Sequence, residues 1–410
     1  MNTSKLIWID KYLGRFSALL LNAVVRLVGK ILRIDHRLNR PYQRIVICKF
    51  KGMGSIIQAT PLLQSLRKQY PDAQLVFVTS QANRPIVESC GLVDELFVLK
   101  DHAFFPMLGS CISLVFSFWK KRPDLYLDLE IYSNFSSIIA TLSLATNRIG
   151  FYLRSSHYRM GLYTHMMFFN TKAPISEVYL QMFRALSDET SSIRQLSELH
   201  GSAQAHELER DKLIIVNVNA SDLREERAWP EKQFAQLIQQ LVQDHPEYKI
   251  ALIGSKSEEA RVLTVLNSCP PHERLVNLAG KTSIPELIRL IQHASLLITN
   301  DTGPMHIGFA SRTKTVALFG PCSPQQYGYH PHCYPIYKNV YCSPCVHEFE
   351  VPPCKGHNEC MKLIEVQEVR QLVSNVLSGQ HTEAATFEHI LYQSDNLPQK
   401  DFPILGFVCR

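Results

Sequence analysis

Apolar positions in this chain fall into two series of short continuous runs, each run separated from the next by amphipathic or polar material. In the first series Arg44 to Phe50 (RIVICKF) has the length of a buried strand. Lys51-Gly52-Met53-Gly54-Ser55 follows as a glycine turn, opening a helix predicted to reach about Tyr70, where Pro71-Asp72-Ala73 breaks it. Gln74 to Thr79 is a second strand, Val93 to Leu99 contains a third and Leu125 to Leu129 is a fourth, with helical material between them. Runs without polar alternation suit strands covered on both faces. Strands that alternate with helices predict a parallel sheet, whose neighbours need crossovers, so this half reads as doubly wound.

Residues 186–210 are polar and read as a linker. The pattern then restarts: strands at Lys212 to Val218, Lys249 to Ile253, Leu275 to Leu278, Ser295 to Thr299 and Thr315 to Phe319 alternate with helices at Glu231 to Gln243, Glu258 to Leu266 and Ile284 to His293. Asn300-Asp301-Thr302-Gly303-Pro304 turns into a further helix ending near Ser311. The predicted fold is α/β, with two Rossmann-like doubly wound domains at 41–185 and 211–378 and a ligand cleft between the carboxyl ends of their sheets. The tail, 379–410, carries no usable motif.

The first forty residues differ. From Leu6 to Ile34 apolar residues mix with Lys5, Lys11, Arg15, Arg26, Lys30 and Arg33. This predicts an amphipathic helix, lying either in a lipid interface or against the first domain with its basic residues wet. The longest uncharged run, Phe16 to Val25, is far short of the roughly 20 residues that span a bilayer. No secretory cleavage pattern follows it.

The chain has 410 residues, 43 basic against 37 acidic side chains, and a net charge of +6. That excess is too mild to indicate nucleic acid, and suits an anionic membrane or phosphorylated substrates. Eleven cysteines are present. Cys48, Cys90, Cys111, Cys269, Cys322 and Cys409 are scattered, as core thiols are, which points to a reducing compartment. Cys342, Cys345, Cys354 and Cys360 stand in a C-x2-C-x8-C-x5-C arrangement in the loop 342–360, with His347 and His357 nearby. A structural zinc, a pair of disulfides and free thiols packing a long loop are the three readings of that cluster.

Chemistry concentrates at the turn 300–304. A helix that starts directly after a buried strand directs free amides and its positive end at whatever lies above the sheet, which favours a diphosphate. Asp301 and Thr302 are candidate caps, Gly303 allows close approach of a phosphate and Pro304 suits a first turn. His306 then follows, placed to meet a leaving group with a charged or hydrogen-bonding imidazole. A plain helix start with a core histidine is the bland alternative.

Three segments together, KFKGMGSIIQATPLLQSLRKQYPDA, NASDLREERAWPEKQFAQLI and TNDTGPMHIGFASRTKTVALFGPCSP, resemble glycosyltransferase family 9, the lipopolysaccharide heptosyltransferase group. The likeness covers roughly residues 44–375, with its most specific block at 298–324. It implies a GT-B architecture, an acceptor bound mainly by the first domain and a nucleotide sugar by the second. It further implies an inverting transfer that needs no cofactor, from a donor such as ADP-heptose to a lipopolysaccharide core or related cell-surface glycan. Such a protein would be a cytoplasmic monomer, peripheral at the inner membrane. Carried over by motif, Asp301, Thr302, Gly303 and His306 would contact the donor, and Arg227 falls where the family places a phosphate-neutralising lysine. Glu258 lies where an acidic residue would hold a ribose hydroxyl, and Asn219, Ser221 and Asp222 follow the first strand of the donor domain. At the first glycine turn, Lys49 and Lys51 with Gly52 and Gly54 are candidates to bind phosphates on a lipid or sugar acceptor, the two lysines being solvated flanks in the alternative.

One departure bears on catalysis. The family's glycine turn ends in Gly-Asp, the aspartate being the presumed general base, whereas here it ends in Gly54-Ser55, and a serine hydroxyl cannot serve unaided near pH 7. The base would come from Asp128 or Glu130 at another strand end, the acceptor proton would leave late, or the chain would bind glycan or nucleotide without turning it over.

Overall fold

The computed structural model describes residues 10–187, 192–210, 212–220, 224–346, 354 and 356–380. Ser221, Asp222, His347 and Cys409, and most of the tail 379–410, lie outside the described residues. Two compact units divide the chain. The first holds the described residues up to Asn170 and Ser176–Ser197, and the second holds Thr171–Ile175 and those from Glu198 onward.

In the first unit six strands, β1 (Arg44–Cys48), β2 (Gln74–Ser80), β3 (Glu95–Leu99), β4 (Leu125–Asp128), β5 (Asn147–Tyr152) and β6 (His165–Phe168), form one sheet in the order β3-β2-β1-β4-β5-β6. Every pairing is parallel. Ile45, Val46, Ile47 and Cys48 are fully buried, as a central strand between two helical layers demands. β5 and β6 go beyond the four strands legible in the sequence. NRIGFY is interrupted by polar residues and HMMF is only four long, so neither shows the apolar run by which the others announce themselves. The helices are α1 (Arg15–Leu32), α2 (Met53–Gln58), α3 (Thr60–Gln69), α4 (Arg84–Cys90), α5 (Phe104–Lys120), α6 (Asn134–Leu142) and α7 (Ile175–Arg184). The single helix expected after the glycine turn is two, α2 and α3, because Pro61 brings no amide and is tolerated only in a first turn.

The second unit repeats the plan. Strands β7 (Lys212–Asn217), β8 (Tyr248–Ile253), β9 (Leu275–Asn277), β10 (Leu296–Asn300), β11 (Thr315–Phe319) and β12 (Cys333–Tyr337) run parallel in the order β12-β11-β10-β7-β8-β9. Helices α8 (Glu231–Asp244), α9 (Glu259–Asn267), α10 (Ile284–His293), α11 (Gly303–Ala310), α12 (Pro324–Tyr327), α13 (Glu359–Lys362) and α14 (Val366–Leu377) accompany them. β12 carries Pro335, which disguises CYPIY as a loop and is tolerated because the strand lies at the sheet edge. Val369, Val373 and Val376 of α14 are buried in the core of this unit.

The carboxyl ends of β1 and β4 are held by two carboxylates. Glu130 is buried, and its Oε1 accepts the amides of Phe50 (2.8 Å) and Lys51 (2.9 Å) and pairs with Lys49 Nζ at 3.2 Å. Burial opposes the charge, yet Lys49 and the two amides hold the Glu130 carboxyl below its ordinary value. This set of contacts fixes the chain as it enters Gly52, whose φ of 86° favours glycine. Asp128 is fully buried, its Oδ1 accepting the Glu130 amide (2.9 Å) and its Oδ2 the Tyr163 hydroxyl (2.6 Å).

Two outcomes follow from these contacts. Glu130→Ala leaves a buried ammonium and two strand-end amides without partners, and is expected to cost about 3–5 kcal/mol in urea unfolding; a loss under about 1 kcal/mol would show the pair to be dispensable. Burial pushes the Asp128 carboxyl up to about 6 from 3.8, against its hydrogen bonds from Tyr163 and the Glu130 amide. Its protonated form therefore favours the fold, a contribution complete below 3.8 and lost as the pH rises through about 6. Relative to the parent, Asp128→Asn should gain up to about 3 kcal/mol between roughly pH 4 and pH 7. A difference that stays flat across that range contradicts the assignment.

Candidate functional site

The strongest grouping of the residues picked out from the sequence lies at the carboxyl end of β10 in the second unit. All five residues of this strand are buried, so its last side chains must find partners within the protein. Asn300 does this twice, its Oδ1 accepting the Trp229 amide (3.0 Å) and its Nδ2 donating to the Asn219 carbonyl (3.0 Å). From the adjacent β7, Asn217 Nδ2 donates to the hydroxyls of Thr299 (3.0 Å) and Thr302 (2.8 Å). The two strand ends and the segment before α8 are thereby held together, with the turn 300–302 placed above them.

Thr302 occupies the N-cap position of α11, but its side chain makes no cap hydrogen bond there. The capping expected of this residue is thus corrected: its hydroxyl is committed to Asn217, and no side chain at the N-cap covers the helix start. Beside it, Arg227 Nη1 lies 3.3 Å from the Asp301 carbonyl and 3.6 Å from Asp301 Oδ2. Asp301 is 2% exposed. Arg227 Nε, Asp301 Oδ2, Asn219 Oδ1 and Glu226 Oε2 are buried and have no hydrogen-bond partner among the described residues. Leaving such atoms unbonded is costly: Arg227 Nε is a donor that an anionic group would satisfy, whereas the three oxygens are acceptors that need donors such as sugar hydroxyls, so the set suits a ligand that carries both.

His306 sits in the same helix, and burial pushes its imidazole down to about 4, Asp301 opposing and Arg227 adding to the shift. At neutral pH it is therefore uncharged, which removes the charged form expected as one alternative and leaves a hydrogen-bonding ring. Glu258 forms a capping box with Ser255, whose amide donates to Glu258 Oε2 at 2.7 Å. It nonetheless adjoins the site: a Cβ added at Gly254 would lie 2.7 Å from Asn219 Nδ2 and 3.4 Å from the Glu258 Cβ.

Several residues here escaped sequence reasoning. Asn217 and Asn300 look like ordinary strand ends. Cys322, read as a scattered core thiol, is fully buried and hydrogen-bonded to Asp301, and burial raises its pKa well above the usual thiol value. The Tyr327 ring lies 6.4 Å from that of His306. Gln326 is 2% exposed with both amide atoms unbonded among the described residues. The one available signal was the GPCSP that follows β11.

In the first unit Lys49, Lys51, Gly52, Gly54, Ser55, Asp128 and Glu130 are gathered at the carboxyl ends of β1 and β4. Lys49 is buried against Glu130, while the Lys51 side chain is exposed. Ser55 is half-buried at the start of α2, and its hydroxyl hydrogen-bonds Tyr179 of α7. Both carboxylates considered as the base are buried and engaged within the protein.

Cys342, Cys345, Cys354 and Cys360 line one cavity of about 230 Å³. No group of three or more His, Cys, Asp or Glu among the described residues is placed to hold a metal ion, so the zinc expectation is not supported. All ten described cysteines are free, so no disulfide joins them either.

Residues 122–356, more than half of the chain, match the model of glycosyltransferase family 9 (heptosyltransferase). Lipopolysaccharide heptosyltransferase 1 of Campylobacter coli is 24% identical over 68% of this chain and 84% of its own length. Lipooligosaccharide heptosyltransferase 2 of Haemophilus influenzae is 38% identical over 24% of this chain and 29% of its own. The solved ADP-heptose lipopolysaccharide heptosyltransferase II of Escherichia coli superimposes with a TM-score of 0.64 at 21% identity, covering 82% of this chain and 99% of that one. That superposition shows a GT-B type of fold built from two Rossmann-like units. With the family model spanning both the end of the first sheet and the whole Arg227–Asp301–His306 grouping, the chain belongs to glycosyltransferase family 9, the heptosyltransferase family, and is a glycosyltransferase.

Proposed function

We propose that the protein transfers heptose from ADP-heptose to a lipopolysaccharide core or related glycan at the cytoplasmic face of a membrane, with inversion at the anomeric carbon. The observation that carries this reading is the Arg227–Asp301 pair beside the uncapped start of α11, with buried polar atoms left unbonded around it. The diphosphate would lie against the Arg227 guanidinium and the first amides of α11. As the bond from the anomeric carbon to the diphosphate oxygen breaks, negative charge grows on that oxygen, and a fixed cation and aligned amides stabilise it without reorganising. Arginine in place of the family's lysine keeps its charge at every working pH and offers a planar fork for two phosphate oxygens. A neutral His306 would donate or accept one hydrogen bond to the bound sugar phosphate. Asp301, held by Arg227 and Cys322, would orient the guanidinium and present its unbonded oxygen to a sugar hydroxyl.

A second reading, a family member that binds glycan or nucleotide without turnover, draws on the first unit. Ser55 stands at the presumed base position bonded to Tyr179, while Asp128 and Glu130 are buried. Sugar transfer by the parent protein would eliminate this reading.

A thermal-shift series with ADP, GDP, UDP and dTDP tests the donor. ADP is expected to stabilise most. Arg227→Ala should weaken ADP binding by about 10–100-fold through loss of a charged contact, about 1.5–3 kcal/mol, and Arg227→Lys should restore part of it. If no nucleoside diphosphate raises the melting temperature and Asp301→Asn is without effect, the donor site is misassigned.

A further inference from the structure

Helix α1 is attached to the first unit by its polar side. Its buried residues are Ala18 and Asn22. Asn22 Nδ2 donates to the carbonyls of Tyr158 (2.5 Å) and Met160 (2.6 Å), and Arg26 donates through Nε to Asn22 Oδ1 (2.8 Å) and through Nη2 to the Met160 carbonyl (3.1 Å). Just ahead of the helix, the Asp10 carboxylate accepts the amides of Asn134 (3.0 Å) and Phe135 (2.6 Å) at the start of α6. Residues 18, 22 and 26 make one helical stripe, and that stripe faces protein. Ala18 is buried and Leu21 and Val25 are half-buried on that side, whereas Phe16, Leu20, Val24, Leu27 and Ile31 point away and are 54–71% exposed. A helix that merely packs on its own domain does the reverse, burying its apolar stripe and wetting its polar one.

A second helix presents the same anomaly. α5 buries Cys111, Leu114 and Phe118 in the core and carries Phe105, Leu108, Ile112, Phe116 and Trp119 on its outer side, 44–79% exposed. These five recur at intervals of three and four residues, so they form one stripe. The crossovers from β3 to β4 and from β4 to β5 run in the same direction across the sheet, so right-handed connection puts α5 and α6 on one face of it. Both α1 and α5 pack against α6. The two exposed stripes therefore belong to the same side of the first unit.

Charge selects the occupant. Neither α1 nor α5 contains an acidic residue. Lys30 lies on α1, where Arg15 and Arg26 are turned toward Tyr158 and Met160, and Lys120 ends α5 with Lys121 and Arg122 directly after it. Asp35 and Asp101 lie just outside the two helices, so cations predominate around the stripes, and apolar stripes flanked in this way suit the boundary between headgroups and acyl chains of an anionic bilayer. Among the described residues no helix is long and apolar enough to cross a membrane, so the contact is one of lying on the surface.

We propose that the outer faces of α1 and α5 together form a docking platform that seats the first unit on an anionic lipid bilayer. This deepens the membrane part of the function proposed above and uses none of the donor chemistry, so nucleotide binding and lipid binding are read separately.

The test is co-flotation of the full chain with vesicles of phosphatidylcholine alone or with phosphatidylglycerol added. Binding is expected to the anionic vesicles and to be at least ten-fold weaker to the neutral ones. Leu20→Glu/Leu27→Glu and Phe105→Ser/Phe116→Ser should each lower partition about ten-fold, with the thermal shift given by ADP unchanged. Parent binding that ignores both pairs of substitutions, or no vesicle binding by the parent, overturns the proposal. So does a lipid-free parent that light scattering shows to be a dimer broken by the same substitutions, since the faces would then meet a second copy. Should a variant lose its ADP response as well, quenching of the parent by brominated anionic lipid decides: quenching that Trp119→Phe diminishes supports the platform, and quenching that it leaves unchanged excludes it.

Discussion

Parallel strands that end inside a protein leave backbone amides and carbonyls with no next strand to bond, and the chemistry of both units is built on how side chains meet that demand. At the end of β1 and β4 the demand is met by Glu130, which gathers the amides of Phe50 and Lys51 and the ammonium of Lys49 on one oxygen. The chain is thereby fixed where it enters the glycine turn. At the end of β7 and β10 it is met by Asn217 and Asn300, neutral amides that donate and accept at once. These spend their capacity on the scaffold, so Asn219, Arg227 and Asp301 keep buried atoms without partners among the described residues. One strand end is thus closed upon itself, and the other keeps unbonded donor and acceptor atoms around the Arg227–Asp301 pair.

The electrostatics of the open end follow from burial. His306 is too deeply placed to hold a proton at neutral pH, and the nearby Arg227 reinforces its neutrality. The cation of the site is therefore the Arg227 guanidinium, paired with Asp301 beside the start of α11. A fixed cation beside aligned dipoles suits a leaving group that becomes more anionic as it departs. Cys322 completes the surroundings as a neutral thiol against Asp301, its burial disfavouring the thiolate.

The first unit adds a different kind of polarity inversion. α1 is held by hydrogen bonds that Asn22 and Arg26 donate and by backbone amides that the Asp10 carboxylate accepts, and its outer apolar side faces outward. Polar anchoring of this sort is specific in geometry, because each donor must find its carbonyl. It also leaves apolar area exposed. The outer stripe of α5 enlarges that area on the same side of the sheet.

Local pattern alone was enough for the main plan: two doubly wound α/β units, nine of the twelve strands, and the strand–turn–helix at Asn300 to Ala310, because continuous apolar runs and a glycine–proline helix start are written in neighbouring residues. It was not enough for β5, β6 and β12, whose polar or proline-bearing segments become strands only because a paired neighbour offers them an edge. Nor did it distinguish the roles of titrating groups. Asp128 and Glu130 look in sequence like carboxylates at a strand end, ready to act on a ligand, and it is the approach of Tyr163, Lys49 and the first glycine turn, distant along the chain, that commits them inward. The direction in which α1 faces was undecidable for the same reason: periodicity identifies an apolar side, and only the carbonyls of Tyr158 and Met160, brought close by the fold, select the polar side as the one that is bound.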